Sequence, residues 1–215
     1  MAGSTSVRKN ASASPLRRAI RPLIWAACLI PAAHLAVDAL TGGLGVNPIE
    51  NVTHRTGRWA LILLLVTLSF TPARRIFGWN NIIRYRRDVG LASFTYAALH
   101  LLTYVTLDLF FDFSLIAGDI LKRPFITVGT AAFLLLLPLA LTSNRAAIRR
   151  LGRRWQLLHR LIYPAAILGI IHFLWLVKAP AIRRPITYGT VLAGLLLFRV
   201  AHWLWRQRTA PDRRG

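Results

Sequence analysis

Long uncharged apolar stretches alternate with short arginine-rich connections along this chain. Six of the stretches approach the roughly 20 helical residues that cross a hydrocarbon layer about 30 Å thick, within a tolerated range of about 17–25. They run Pro22–Leu40, Trp59–Ala73, Val89–Leu107, Pro124–Leu141, Trp155–Val177 and Pro185–Trp205. The pattern predicts an all-α protein, an integral membrane six-helix bundle, because only helices satisfy their own backbone groups one span at a time. The second run is the shortest, with 15 uncharged residues between Arg58 and Arg74, and depends on arginines snorkelling at its ends. The first follows Arg17-Arg18 and carries Ala and Pro near its end, as an export signal does, yet five further runs favour a retained span. The organisation expected is a disordered basic arm over residues 1–20, a six-span domain over 21–206 and a short tail over 207–215, with no internal repeat.

Charge adds orientation to this outline. The 215 residues carry 28 Lys+Arg against 7 Asp+Glu, a net +21, within a composition that is 55% apolar. A nucleic-acid-binding domain gathers its basic residues on a polar face, whereas here they sit in clusters between apolar runs, which argues against nucleic acid as a partner and for lipid. The N-terminal arm, the second and fourth connections and the tail together hold nineteen of the basic residues, and the other connections hold seven, with Arg160 and Arg199 inside proposed spans. The positive-inside rule then puts both termini in the cytoplasm and Glu50, Asp108, Asp112 and Asp119 on the far side.

The candidate chemistry is confined to the spans. Cys28 is the lone cysteine, which excludes an internal disulfide, a Cys-based zinc site and the Cys-x-x-Cys-His attachment of a c-type haem. No phosphate-cradling glycine loop follows a strand pattern, and the connections are too short for a nucleotide domain. Histidines remain. Two neutral imidazoles on facing helices can take both axial positions of a haem iron. On a rise of about 1.5 Å per residue, His100 lies roughly 12 Å and His172 roughly 9 Å below the outer boundary, so the two match in depth. His159 lies roughly 28 Å from that boundary and cannot share their iron. Its spacing from His172 leaves the two about 140° apart on an ideal helix, with Pro164 between them as a possible kink. His202 is a geometric candidate to partner His159, His34 sits near the outer face beside Asp38, and His54 lies in a connection. The alternative for each is a structural hydrogen bond or an interfacial position.

Several blocks resemble a known family. They are Asn47-Pro48-Ile49-Glu50 with Thr56-Gly57, Arg86-Arg87-Asp88-Val89-Gly90-Leu91 running into Leu99-His100-Leu101-Leu102, and Lys122-Arg123-Pro124-Phe125-Ile126-Thr127-Val128-Gly129. Leu141-Thr142-Ser143-Asn144, Leu151-Gly152-Arg153-Arg154-Trp155-Gln156-Leu157-Leu158-His159-Arg160 and His172-Phe173-Leu174-Trp175 continue the series. In this order they resemble the haem-binding membrane subunit of the bacterial periplasmic protein-methionine-sulfoxide reductase system, within the ferric reductase-like transmembrane proteins. The resemblance implies a b-type cytochrome with one or two haems, its ligand histidines mapping onto His100, His159 and His172, and an association with FMN. It also implies a multi-pass protein of the bacterial inner membrane. Its electrons would come from a cytoplasmic flavin reductase or a quinone and pass to a periplasmic molybdopterin-containing reductase. The third span carries one histidine where two-haem oxidases of the wider superfamily carry two. The residues alone also allow a quinol- or metal-reducing cytochrome, or a non-redox membrane protein with structural histidines.

The orientation has a direct test. A reporter active only outside the cytoplasm is expected to work when fused within Leu109–Gly118 and to fail after Arg150 or at the C-terminus; the opposite pattern would invert the orientation.

Overall fold

The computed structural model describes residues 15–178 and 181–209, and these are helical without a strand. Six segments are long and apolar enough to cross a membrane: Ala19–Thr41, Pro48–Phe77, Asn80–Asp108, Pro124–Leu141, Arg153–Leu176 and Arg183–Arg208. Together with the apolar side chains left on the outside, among them Leu29, Ile30, Val37, Leu134 and Leu197, they make this a multi-pass membrane protein. Residues 1–14, most of the expected arm, lie outside the described residues, as do 210–215 of the tail; helix α1 (Pro15–Thr41) begins inside the arm.

The second span is a correction to the sequence reading. Expected to be the shortest, it belongs to the longest helix, α2 (Pro48–Phe77, 30 residues). Local chemistry sets both ends. Asn47 accepts a bond from the Glu50 amide at 3.3 Å while its own amide donates to the Glu50 carboxylate at 2.9 Å, and Pro48 occupies the first helical position. Gly78, with φ +68°, closes the far end in the left-handed conformation. Arg55, well before the expected start of the span at Trp59, lies inside the helix, where Asp38 and His34 of α1 take its guanidinium.

After a 3-10 turn over Asn80–Tyr85, α3 (Arg86–Thr103) returns beside α2 and ends in a π turn over Tyr104–Asp108. A short surface helix, α4 (Phe113–Lys122), is capped by Asp112. It leads into α5 (Pro124–Leu141), which starts on Pro124. The fourth connection folds as α6 (Arg145–Leu151), capped by Asn144, and α7 (Arg153–Leu158), joined at Gly152 where φ is +50°. A 3-10 turn over His159–Leu161 precedes α8 (Ile162–Leu176). Pro164 has no amide hydrogen and lies in the first turn of α8, where that hydrogen has no helical partner to bond. Helix α9 (Arg183–Arg208) completes the bundle.

Helix α2 is the shared element. Leu61, Leu64, Leu65 and Leu68 pack with Leu139 of α5, Ile162, Ala166 and Ile170 of α8 and Leu192 of α9. On its other side Leu63 packs with Cys28, Val89, Ala92 and Tyr96. Lipid tails are as apolar as leucine, so helix association here rests on close packing and on polar bonds between helices. Small residues permit that approach: Ser93 of α3 is buried and donates to the Ala60 carbonyl of α2 at 2.8 Å. Helix α1 is held at one end by Arg21, whose guanidinium reaches both oxygens of the buried Asp88 at 2.8 and 3.1 Å, and in its middle by Tyr96, which donates to the Cys28 carbonyl at 2.8 Å.

Pro72 inside α2 withholds the amide hydrogen that would have bonded the Leu68 carbonyl. Arg199 of α9 fills the vacancy, donating from Nη2 to that oxygen at 2.7 Å and from Nη1 to the Tyr163 hydroxyl at 3.0 Å, with its guanidinium over the Tyr163 ring. An arginine inside a span thereby ties α9 to α2 and α8. Replacing Arg199 by Leu is expected to cost about 1–3 kcal/mol, the penalty of a buried unsatisfied carbonyl, read as a lower thermal midpoint in detergent. Adding Pro72→Ala should recover part of the loss by returning the amide. An unchanged midpoint in Arg199→Leu would refute the tie.

Candidate functional site

Helices α3 and α8 bring His100 and His172 together edge to face, their ring centres 6.0 Å apart and the planes 74° to one another. Each ring is anchored in the same way. His100 Nδ1 bonds the Thr53 carbonyl of α2 at 2.8 Å, and His172 Nδ1 bonds the Phe125 carbonyl of α5 at 2.7 Å. A carbonyl can only accept, so both Nδ1 atoms carry the hydrogen and both Nε2 atoms keep their lone pairs. Two neutral imidazoles side by side inside an apolar bundle, each with Nδ1 held by a carbonyl and Nε2 unprotonated, are chemically suited to metal ligation.

The anchoring carbonyls are also the helical partners of the amides four residues on, so each histidine uses an oxygen's second lone pair; the Thr56 hydroxyl, 3.0 Å from the Thr53 oxygen, donates at the shorter 2.8 Å to the Val52 carbonyl. The residues four positions on are Gly57 and Gly129. With no side chain there, the oxygen is open to the neighbouring helix and the ring lies against the glycine backbone. This part of the site was missed from the sequence. The quoted blocks contain Thr56-Gly57 and Phe125 through Gly129, but a glycine in an apolar helix signals only close approach, not what approaches.

His159 stands apart from this pair. Its ring stacks on Trp155, centres 3.9 Å apart, and its Nε2 lies 3.2 Å from the Thr142 hydroxyl. That hydroxyl donates to the Pro138 carbonyl at 2.6 Å, so the histidine nitrogen is the donor to it, and Trp155 Nε1 donates to the Thr142 carbonyl at 3.0 Å. His202 stacks with Phe198 and Trp205 within α9 instead of partnering His159. His34 contacts Arg55 and Asp38, and His54 lies 3.8 Å from Glu50. Among the described residues no group of three or more His, Cys, Asp or Glu is placed to hold a metal ion. A cleft of 680 Å³ between α1, α2 and the start of α3 is lined by apolar residues such as Ile24, Trp59, Leu63 and Val89, with Asn81, Arg84 and Tyr85 at one end and no histidine.

Comparison with known proteins gives the family of the chain. The family described as ferric reductase like transmembrane component matches residues 56–170. A protein of Azospira oryzae named protein-methionine-sulfoxide reductase heme-binding subunit MsrQ is 51% identical over 199 residues, covering 90% of this chain and 85% of its own. The chain belongs to the MsrQ family. Proteins of the same name from Herminiimonas arsenicoxydans and Rhodospirillum rubrum are each 48% identical, covering 88% of this chain and 88% and 91% of theirs. No solved structure matches the chain. Within the MsrQ family frame, the ferric reductase-like segment contains Gly57, His100, Gly129 and His159, and ends two residues before His172.

Proposed function

We propose that the chain is a b-type membrane cytochrome that relays electrons across the bacterial inner membrane to a periplasmic molybdopterin-containing enzyme reducing methionine sulfoxide in proteins. The observation that carries this reading is the His100–His172 pair, with both Nδ1 atoms tied to carbonyls and both Nε2 atoms turned free. The ring centres lie 6.0 Å apart, within the reach of two imidazoles that share one metal ion. The residues therefore fit a haem iron held by His100 and His172. Arg58, next to Gly57, has a buried Nε without a protein partner and supplies positive charge for a porphyrin carboxylate. Attachment would be non-covalent, because Cys28 is the lone cysteine and is buried between α1 and α3.

Bound there, haem supplies one-electron chemistry at a potential set by its axial ligands, their hydrogen bonds and the dryness of the site. The chain's contribution is positional. The Thr53 and Phe125 carbonyls fix each ring and raise its basicity as a ligand. The leucine-rich core of α2, α5, α8 and α9 excludes water. With both termini cytoplasmic, electrons enter at the end bearing Arg74, Arg75, Arg86 and Arg87, from a flavin reductase or a quinol. The apolar cleft beside α1, with Arg84 in its lining, suits the quinol route. An FMN, if it takes part, belongs with the donor side; His159 is the candidate ligand of a second haem.

Two experiments test the reading. The purified protein is expected to show a low-spin bis-histidine spectrum, lost or severely depleted in both His100→Ala and His172→Ala, while His159→Ala removes a separate part of the signal only if a second haem exists. Full haem in both of the first two variants would sink the ligand assignment. In the second experiment, a flavin reductase with NAD(P)H, or a reduced quinone, reduces the haem. Adding the molybdopterin partner with a methionine sulfoxide substrate then reoxidises it. Reoxidation by sulfoxide alone would make the chain a reductase in its own right, and reoxidation by ferric chelates but not by the partner would favour a metal reductase.

A further inference from the structure

The two histidine seats are one device used twice. His172, Phe125 and Gly129 each lie 72 positions after His100, Thr53 and Gly57, and both histidines bond a carbonyl 47 residues earlier. The surrounding sequence keeps the same register. Gly57-x-x-Ala60-x-x-Leu63-Leu64-Leu65 on α2 reappears as Gly129-x-x-Ala132-x-x-Leu135-Leu136-Leu137 on α5. The same seat thus recurs at one offset, with α2 and α3 supplying it once and α5 and α8 supplying it again, one histidine from each pair.

The tolerance of each seat is small. A methyl group placed on Gly57 would stand 2.9 Å from His100 Nδ1 and 3.0 Å from its Cε1. On Gly129 it would stand 2.7 and 2.8 Å from the same atoms of His172. Carbon atoms do not approach a ring so closely, and neither neighbour is the far end of a flexible chain, since Nδ1 is fixed by its carbonyl. The ring would have to leave its carbonyl or advance toward the opposite imidazole, which already stands 6.0 Å away between ring centres. Other helical glycines differ. At Gly169, on the same helix as His172, an added methyl would meet Leu61 at an ordinary 3.6 Å.

We infer that Gly57 and Gly129 are paired positioning residues that set where the two imidazoles stand, and that the site is built on a duplicated glycine-and-carbonyl seat rather than on two unrelated histidines. The inference rests on the reading of His100 and His172 as haem ligands. It goes beyond it in making the absence of a side chain at two positions on other helices a condition of ligation.

The test uses the full-length protein in detergent. Gly57→Ala and Gly129→Ala are each expected to weaken haem retention about 10–100-fold, the range seen when the groups orienting a metal ligand are removed. The haem still bound should change from low-spin to high-spin and, once reduced, bind carbon monoxide, which a six-coordinate bis-histidine haem does not. Gly169→Ala should keep the parent's haem content, spin state and indifference to carbon monoxide. If the glycine variants match the parent while His100→Ala and His172→Ala lose haem, the positioning inference fails and the ligand reading stands. If the histidine variants keep their haem, the ligand reading itself fails. Should Gly57→Ala not accumulate as folded protein, the double variant Gly57→Ala/His100→Ala decides, because removing the ring removes the clash. Accumulation equal to that of His100→Ala alone would support the inference, and failure to accumulate would overturn it.

Discussion

A helical carbonyl oxygen has one lone pair left after bonding the amide four residues ahead, and the candidate site of this protein hangs on that remainder twice. Thr53 and Phe125 offer it to His100 and His172, and a glycine at the fourth residue on keeps the oxygen uncovered. One bond of this kind does three things. It assigns the hydrogen to Nδ1, leaves Nε2 as a donor to a metal, and locks the ring to a neighbouring helix rather than to its own. The spacing between the rings is then a property of the packing of α2 on α3 and of α5 on α8, not of rotamer freedom in either histidine.

The same accounting runs through the rest of the bundle. Inside a membrane there is no water to satisfy a stray polar group, so each one must be answered by protein. Pro72 opens a carbonyl and Arg199 closes it. The buried Asp88 is met by Arg21 at two oxygens, and Arg55 lies within α2 because Asp38 and His34 receive it. Among the described residues the buried side-chain polar atoms left over are few: Asn51 Oδ1, Arg58 Nε and Arg199 Nε. Arg58, beside Gly57, is the one next to the histidine seat.

Much of this was legible in one dimension. Apolar run length located all six spans, and the helical rise placed His100 and His172 at one depth with His159 well away from them. The second span was misjudged because charge was read as boundary: Arg55 and Arg58 lie within the helix, and the pairing that admits Arg55 comes from α1, a partner that counting along α2 cannot reveal. The recurrence of the histidine seat was not legible for a related reason. Six matching positions, Gly57, Ala60, Leu63, Leu64, Leu65 and His100 with their counterparts, are faint against a background of leucine and alanine, and they gain meaning only when both glycines are found beneath the same atoms of two histidines.

The sequence by itself determined the class of the protein, the number and order of its spans, and the residue types able to bind a metal within the bundle, while local residues such as Asn47, Gly78, Asp112 and Asn144 cap the helices the structure shows. These follow from forces acting over a few residues: transfer of apolar side chains out of water, capping of orphan amides, and the missing hydrogen of proline. The tertiary structure decided which histidines meet, which nitrogen each presents, and that His159 turns to Trp155 and Thr142 instead of to His202. Those outcomes depend on the lateral packing and rotation of one helix against another, set by small residues and single hydrogen bonds dozens of positions apart, and no local pattern encodes a contact whose other half lies on a different helix.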